Sequence, residues 1–225
     1  MSKKTMLPAL AAISAVMFVL PAAVSANWGV TPGNAKFTSS GPAGILFATG
    51  EPTLKCSGPN TGSGSYDGSG TTGSVILHFT ECGSTFLGIN VPCSTVLTEP
   101  TKKTIATTGT FHNVTITGGK RGTLLTPANS VIKCQNIANT ITVSGTLIGE
   151  VTAPTAPCPV VTKTLGTAFG VSAGSQIHKT TDGHITEYDL KATTAGGSAV
   201  TAALEATATD TFTEPTEVTI DCNTP

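Results

Sequence analysis

The clearest pattern in the chain is a period-two alternation of apolar and hydroxyl-bearing residues. From Ile141 to Val151 the odd positions are apolar or glycine, whereas most even positions carry a hydroxyl or carboxylate. Successive side chains of a strand point to opposite faces, so this pattern predicts a strand with one buried face. Two other segments predict strands in the same way: 74–80 with Val75, Leu77 and Phe79 inward, and 202–213 with Leu204, Ala206, Ala208 and Phe212 inward.

Short segments of this kind recur along the chain, separated by glycine and proline turns, and sustained helical periodicity is absent after residue 26. About a dozen short strands are typical of an all-β, antiparallel sandwich, Ig-like or Greek-key-like, built as one unit or as two sandwich-like halves. Proline cannot donate a ladder hydrogen bond, and three prolines lie in 153–159. We therefore predict an N-terminal domain over 27–152, a junction over 153–159 and a C-terminal subdomain over 160–225.

The first 26 residues have the pattern of a signal peptide. Lys3 and Lys4 precede an apolar run, and Val24-Ser25-Ala26 is a small-x-small motif, which predicts cleavage before Asn27. The alternative is that the run is retained as a membrane anchor, since it approaches spanning length. The remainder is expected to be secreted, either extracellular or associated with the cell envelope, without stable membrane insertion after cleavage.

The charge balance argues against a nucleic-acid partner. Removing Lys3 and Lys4 from the 12 basic residues leaves 10 against 13 acidic ones, a formal charge of −3 without any basic block. Nucleic-acid binding requires a cationic surface, so the expected partner is of another class and is not identified by the sequence.

All six cysteines follow the signal sequence, and an even number in an exported chain predicts three disulfides. A zinc site is disfavoured because the sequence has neither a C-x-x-C pair nor a cysteine beside a histidine. Spacing does not determine the connectivity. The preferred pairing is Cys82–Cys93, Cys56–Cys134 and Cys158–Cys222, and its main alternative pairs Cys56 with Cys82 and Cys93 with Cys134.

Several short motifs resemble a known group of proteins. They are Asn27-Trp28, Leu54-Lys55-Cys56, the run from Val75 to Cys82, Ile132-Lys133-Cys134, the run from Val143 to Gly149, Gly174-Ser175-Gln176, and Leu204-Glu205-Ala206-Thr207. Together they resemble small secreted all-β, cysteine-containing proteins of soil actinobacteria, a family with no assigned activity. The resemblance implies export and architecture, and it carries no site residues.

The densest polar segment runs from Ser172 to Asp189 and offers residues of catalytic types. Ser172, Ser175 and Asp182 with His178 suggest a hydrolase, while His178, His184, Glu187 and Asp189 suggest a metal site. The simpler interpretation is a hairpin turning at Asp182-Gly183, which places His178 opposite Glu187 as an ordinary cross-strand pair. The sequence contains no Gly-x-Ser-x-Gly motif around either serine.

These observations favour a secreted, non-enzymatic structural or binding protein that needs no cofactor. Two alternatives remain. One is a hydrolase or metal-dependent enzyme centred on His178, His184, Glu187 and Asp189. The other is an adhesin or inhibitor module that uses 57–73, a segment whose glycines and serines predict a long flexible loop or a weak hairpin. A sugar-binding platform is disfavoured because Trp28, Tyr66 and Tyr188 are scattered.

Overall fold

The computed structural model describes residues 28–50, 52–86, 88–178 and 190–222. Their strands are β1 Trp28–Thr31, β2 Lys36–Gly41, β3 Gly44–Ala48, β4 Leu54–Cys56, β5 Asn60–Tyr66, β6 Thr72–Phe79, β7 Cys82–Phe86, β8 Ile89–Ser94, β9 Ile105–Ile116, β10 Lys120–Pro127, β11 Ser130–Cys134, β12 Thr140–Ser144, β13 Leu147–Ala153, β14 Val160–Thr162, β15 Thr164–Phe169, β16 Val171–Ser172, β17 Ser175–Gln176, β18 Lys191–Thr194, β19 Ala199–Glu214 and β20 Val218–Cys222. Over these ranges the only helical element is a 3₁₀ turn at Pro100–Lys102. The all-β, antiparallel prediction is confirmed.

Eight strands close into an antiparallel barrel. The hydrogen-bonded order is β2, β5, β6, β9, β10, β13, β15 and β19, and β19 pairs again with β2. The architecture is therefore not clearly the expected sandwich, because the sheet closes on itself and its edge strands find partners.

A second circuit of paired strands, which we call the second ring, shares β19 with the barrel. It runs β19, β18, β12, β11, β8, β7, β4 and β3, and β3 pairs again with β19. Residues 199–205 of β19 pair with the second ring, and 206–214 pair with the barrel. One continuous core fills both circuits.

A buried glutamine completes the edge of β19 where its partner changes from β18 to β15. The amide oxygen of Gln176 accepts from the Leu204 N–H at 3.1 Å, and its amide nitrogen donates to the Leu204 carbonyl at 3.2 Å. The side chain thus satisfies backbone groups that neither neighbouring strand reaches.

Four aromatic side chains fill one end of the barrel: Phe37, Tyr66, Phe111 and Phe212. The rings of Tyr66 and Phe111 meet edge to face, with centroids 4.9 Å apart. Gly64 and Gly73 make this packing possible, because a Cβ on either would clash with the ring of Phe37 or Phe111. Of the two predictions for 57–73, the long flexible loop is wrong and the hairpin is confirmed. The segment contributes β5 and the start of β6, which pair in the barrel wall.

A three-stranded sheet, β1, β20 and β14, brings the two ends of the described chain together. Its Trp28 is buried, and the indole N–H donates to the carbonyls of Val114 at 3.0 Å and Gly122 at 3.2 Å. These carbonyls belong to β9 and β10, so the indole fixes this small sheet to the barrel wall.

Four cysteines form one row across β4, β7, β8 and β11. Cys56 is paired with Cys82, and Cys93 with Cys134, and each pair is bonded, with Cα atoms 3.9 and 4.0 Å apart. One step beyond the Gly83 and Pro92 pair, the same register sets Cys82 beside Cys93.

The preferred pairing of Cys82 with Cys93 and of Cys56 with Cys134 is therefore wrong. Cys56 and Cys134 stand at the two ends of this row. Three strand spacings separate them by about 14 Å, beyond the roughly 7 Å that a disulfide tolerates. The alternative pairing is the observed one. Cys158–Cys222 agrees with the prediction and joins the proline-rich segment to β20.

Strands from both sides of the predicted junction pair with one another. The shared strand β19 bonds to β2 and β3, and β18 bonds to β12. The expected parts 27–152 and 160–225 thus contribute to the same circuits. The junction 153–159 lies against Arg121, whose guanidinium donates to the carbonyls of Pro154 and Ala156.

Candidate functional site

The most unusual chemistry lies inside the barrel, where a carboxylate occupies a position that faces the core. Asp210 is in the same strand phase as Phe212 and is paired in register with Ser39 of β2. A cavity of about 60 Å³ adjoins it, lined by apolar side chains and by a polar group that we call the interior polar cluster: Ser39, Tyr66, Thr123, Thr167 and Asp210.

The electrostatics follow from burial. Desolvation raises the pKa of Asp210 from 3.8 to about 6, against the opposing effect of a hydrogen bond with Ser39. Burial, with the charge of Asp210 as a second cause, also raises the pKa of the Tyr66 hydroxyl above its usual range. At neutral pH the cavity therefore holds an ionised carboxylate beside a neutral phenol.

Two polar atoms on the paired residues Thr123 and Asn113 are buried without hydrogen-bond partners in the described part of the chain. They are the hydroxyl oxygen of Thr123, which lines the cavity, and the amide oxygen of Asn113. The Asn113 amide nitrogen donates to the Gly70 carbonyl at 3.3 Å. Buried polar atoms normally have partners, so the unpaired Thr123 oxygen in the cavity that Asp210 also lines indicates room for a bound species.

An apolar cavity of about 80 Å³ lies where the barrel and the second ring meet. Leu77 and Leu125 line both this cavity and the polar one. The interior thus changes from aromatic packing, through the interior polar cluster, to an aliphatic region next to Cys56.

Two grooves open on the surface. One, of about 690 Å³, is polar and lies beside Cys82, where Lys103 and Glu81 form an ion pair at 3.0 Å. The other, of about 350 Å³, is the apolar groove, lined in part by Ile76, Leu97 and Val131, which are 45%, 48% and 37% exposed.

The outer face of the barrel beside the apolar groove is rich in hydroxyls. In two rows running across β19, β2, β5, β6 and β9, paired residues follow one another: Thr211, Thr38, Ser63, Ile76, Thr108, and Thr209, Ser40, Thr61, His78, Ala106. These two rows, which we call the hydroxyl face, contain no Lys, Arg, Asp or Glu.

The structure describes only part of the segment predicted to form a metal or hydrolase site. Ser172 and Ser175 face each other in the β16–β17 pair, and His178 follows, half-buried. Burial lowers the pKa of His178, while Glu150 raises and Lys120 lowers it. Asp182, His184, Glu187 and Asp189 lie outside the described residues, and the metal and hydrolase hypotheses stay predictions. Within 28–50, 52–86, 88–178 and 190–222, no group of three or more His, Cys, Asp or Glu is placed to hold a metal ion.

Sequence reasoning missed the interior polar cluster, although one signal was present. The alternation over 202–213 places apolar residues at even positions, and Asp210 interrupts that phase. A carboxylate in the buried phase of a strand marks a special environment. Its companions Ser39, Thr123 and Thr167 come from three other strands, and nothing local in the sequence connects them.

Comparisons with protein-family models, with curated proteins and with solved structures give no match to this chain. Among the described residues, no helix is long and apolar enough to cross a membrane.

Proposed function

We propose that this chain is an exported, disulfide-stapled, non-enzymatic protein of the extracellular space or cell envelope that binds a partner through the outer wall of its barrel. The observation that carries the proposal is the continuity of the hydroxyl face with the apolar groove. Ile76 and Thr108 belong to both, so polar and apolar contacts are offered side by side.

The character of this surface suggests the kind of partner. Uncharged hydroxyls donate and accept hydrogen bonds without long-range attraction, and exposed apolar side chains supply the desolvation energy of an interface. A weakly charged extracellular or envelope component fits such a surface better than a polyelectrolyte does. An adhesin or inhibitor would bind through this wall and not through a free loop, because 57–73 is part of the paired strands of the barrel.

The stapled framework suits an exported binding protein. The disulfides close loops whose ends are 26, 41 and 64 residues apart, each worth about 4 kcal/mol in the chain-entropy account. Such stapling is typical of oxidising compartments. The kinship with secreted actinobacterial proteins, and cleavage before Asn27, belong to this proposal. An intact-mass measurement on the secreted protein tests cleavage, because a product starting elsewhere contradicts that step.

Binding can be tested with purified protein and the envelope and medium fractions of the producing cells. We expect co-sedimentation or capture that Ile76→Glu abolishes, because a charge in the apolar groove must be desolvated on binding. The matched control is Val161→Glu, which adds the same charge to an exposed valine on β14, away from this wall. Equal binding by both variants, or no binding by the native protein, contradicts the proposal.

A further inference from the structure

We propose that the interior polar cluster binds one small monovalent cation, Na⁺, K⁺ or NH₄⁺, inside the barrel. The first observation is a charge without a counter-charge. Asp210 is half-buried and faces the barrel interior in register with Ser39, and the neutral Ser39 hydroxyl is its hydrogen-bonding partner. No lysine or arginine lines the cavity. Buried charges in proteins are normally paired or bound to a cation.

The second observation is independent of the first. The hydroxyl oxygen of Thr123 lines the same cavity, is buried, and has no hydrogen-bond partner among the described residues. A hydroxyl oxygen without an acceptor to donate to, directed at a cavity beside a carboxylate, is an available ligand atom. The cavity of about 60 Å³ leaves room for a guest between these groups.

The donor set fixes the kind of guest. One carboxylate and the hydroxyls of Ser39, Tyr66, Thr123 and Thr167 surround the cavity, and all are hard oxygen donors. They carry one negative charge in total, so a monovalent cation neutralises the site. A divalent cation would leave an uncompensated positive charge in the low-dielectric interior. The cavity volume of about 60 Å³ also excludes large organic cations.

The test is equilibrium unfolding of the mature, disulfide-intact protein in urea, which is itself uncharged. The protein is compared at pH 7.5 and equal ionic strength in NaCl, KCl, NH₄Cl, CaCl₂ and the chloride of N-methylglucamine, a cation too large for the cavity. At ten times its dissociation constant, a bound cation lowers the unfolding equilibrium constant by about tenfold. We expect this shift with at least one of the three small monovalent cations.

Two variants and a control assign the effect to the site. Asp210→Asn keeps the shape and should abolish the cation dependence. Thr123→Val removes the unpartnered hydroxyl and should weaken the cation dependence of stability. Glu205→Gln removes an exposed carboxylate from the same strand and should retain the full shift. The proposal is overturned if all five chlorides give the same stability, if Ca²⁺ alone stabilises, or if Asp210→Asn keeps the response.

Discussion

Replacing Asp210 with asparagine removes the carboxylate of the interior polar cluster while keeping its shape and a polar partner for Ser39. Burial raises the pKa of this group from 3.8 to about 6, a difference of about 2 pH units. Each unit corresponds to about 1.4 kcal/mol, so ionising Asp210 in the folded barrel costs about 3 kcal/mol. We expect Asp210→Asn to escape this cost.

The direction in which stability changes with pH follows from proton binding by Asp210. Between pH 3.8 and about 6 the folded state holds a proton on Asp210 that the unfolded state has released. The contribution of this group to stability is therefore full below pH 3.8 and is lost as the pH rises through about 6. The difference in unfolding free energy, variant minus native, should increase by about 3 kcal/mol from pH 3.5 to 7.5.

The assay is urea unfolding followed by far-ultraviolet circular dichroism across this pH range. N-methylglucamine should be the only cation, so that no small ion neutralises the carboxylate. Asp67→Asn gives a control of opposite sign. Burial is the largest single influence on Asp67 and raises its pKa, but the hydrogen bonds from Ser69 and Thr72 together outweigh it and lower the pKa. The stabilising effect of Asp67 is therefore lost as the pH falls. A pH-independent difference for Asp210→Asn refutes the buried-carboxylate reasoning.

Three further predictions address packing, the staples and the metal hypothesis. Gly64→Ala should destabilise the barrel by about 1–3 kcal/mol, measured by urea unfolding, because its Cβ clashes with Phe37; an unchanged midpoint contradicts this packing. Mild reduction followed by alkylation and mass mapping should label Cys158 and Cys222 first, since these are partly exposed whereas the other four cysteines are buried; simultaneous labelling of all six argues otherwise. If the metal hypothesis is right, elemental analysis will find stoichiometric metal that His184→Ala removes, and a metal-free native protein rejects it.

The strands were predictable where alternation is local. The inward phase assigned to 74–80 and 202–213 is the phase that lines the barrel, because strand periodicity is a property of neighbouring residues. The closure of these strands into a barrel was not predictable from local alternation. Whether β19 meets β2 and β15 or an open edge depends on partners more than 30 residues away in sequence, and no pattern within one strand encodes that choice.

Two predictions were limited by one cause, which is that a single segment does not show which strands it will pack against. Glycines in 57–73 left a flexible loop and a weak hairpin open, and Gly64 is required in the hairpin because the ring of Phe37 occupies the space of its missing side chain. The cysteine pairing likewise depends on register. Cys82 has Cys56 on one side and Cys93 on the other, and only the position of Cys134 at the end of the row decides between them.

The position of Asp210 on the shared strand links the interior polar cluster to the whole molecule. β19 bonds to β18 and β3 over its first half and to β15 and β2 over its second, which contains Asp210. A local opening that hydrates Asp210 therefore breaks strand pairing on both sides of β19 and opens the barrel. Neutralising the carboxylate, by a proton or by a cation, consequently stabilises the complete fold and the outer wall that we propose for binding. The charge on Asp210 lowers stability at neutral pH, and a bound ion would remove that cost.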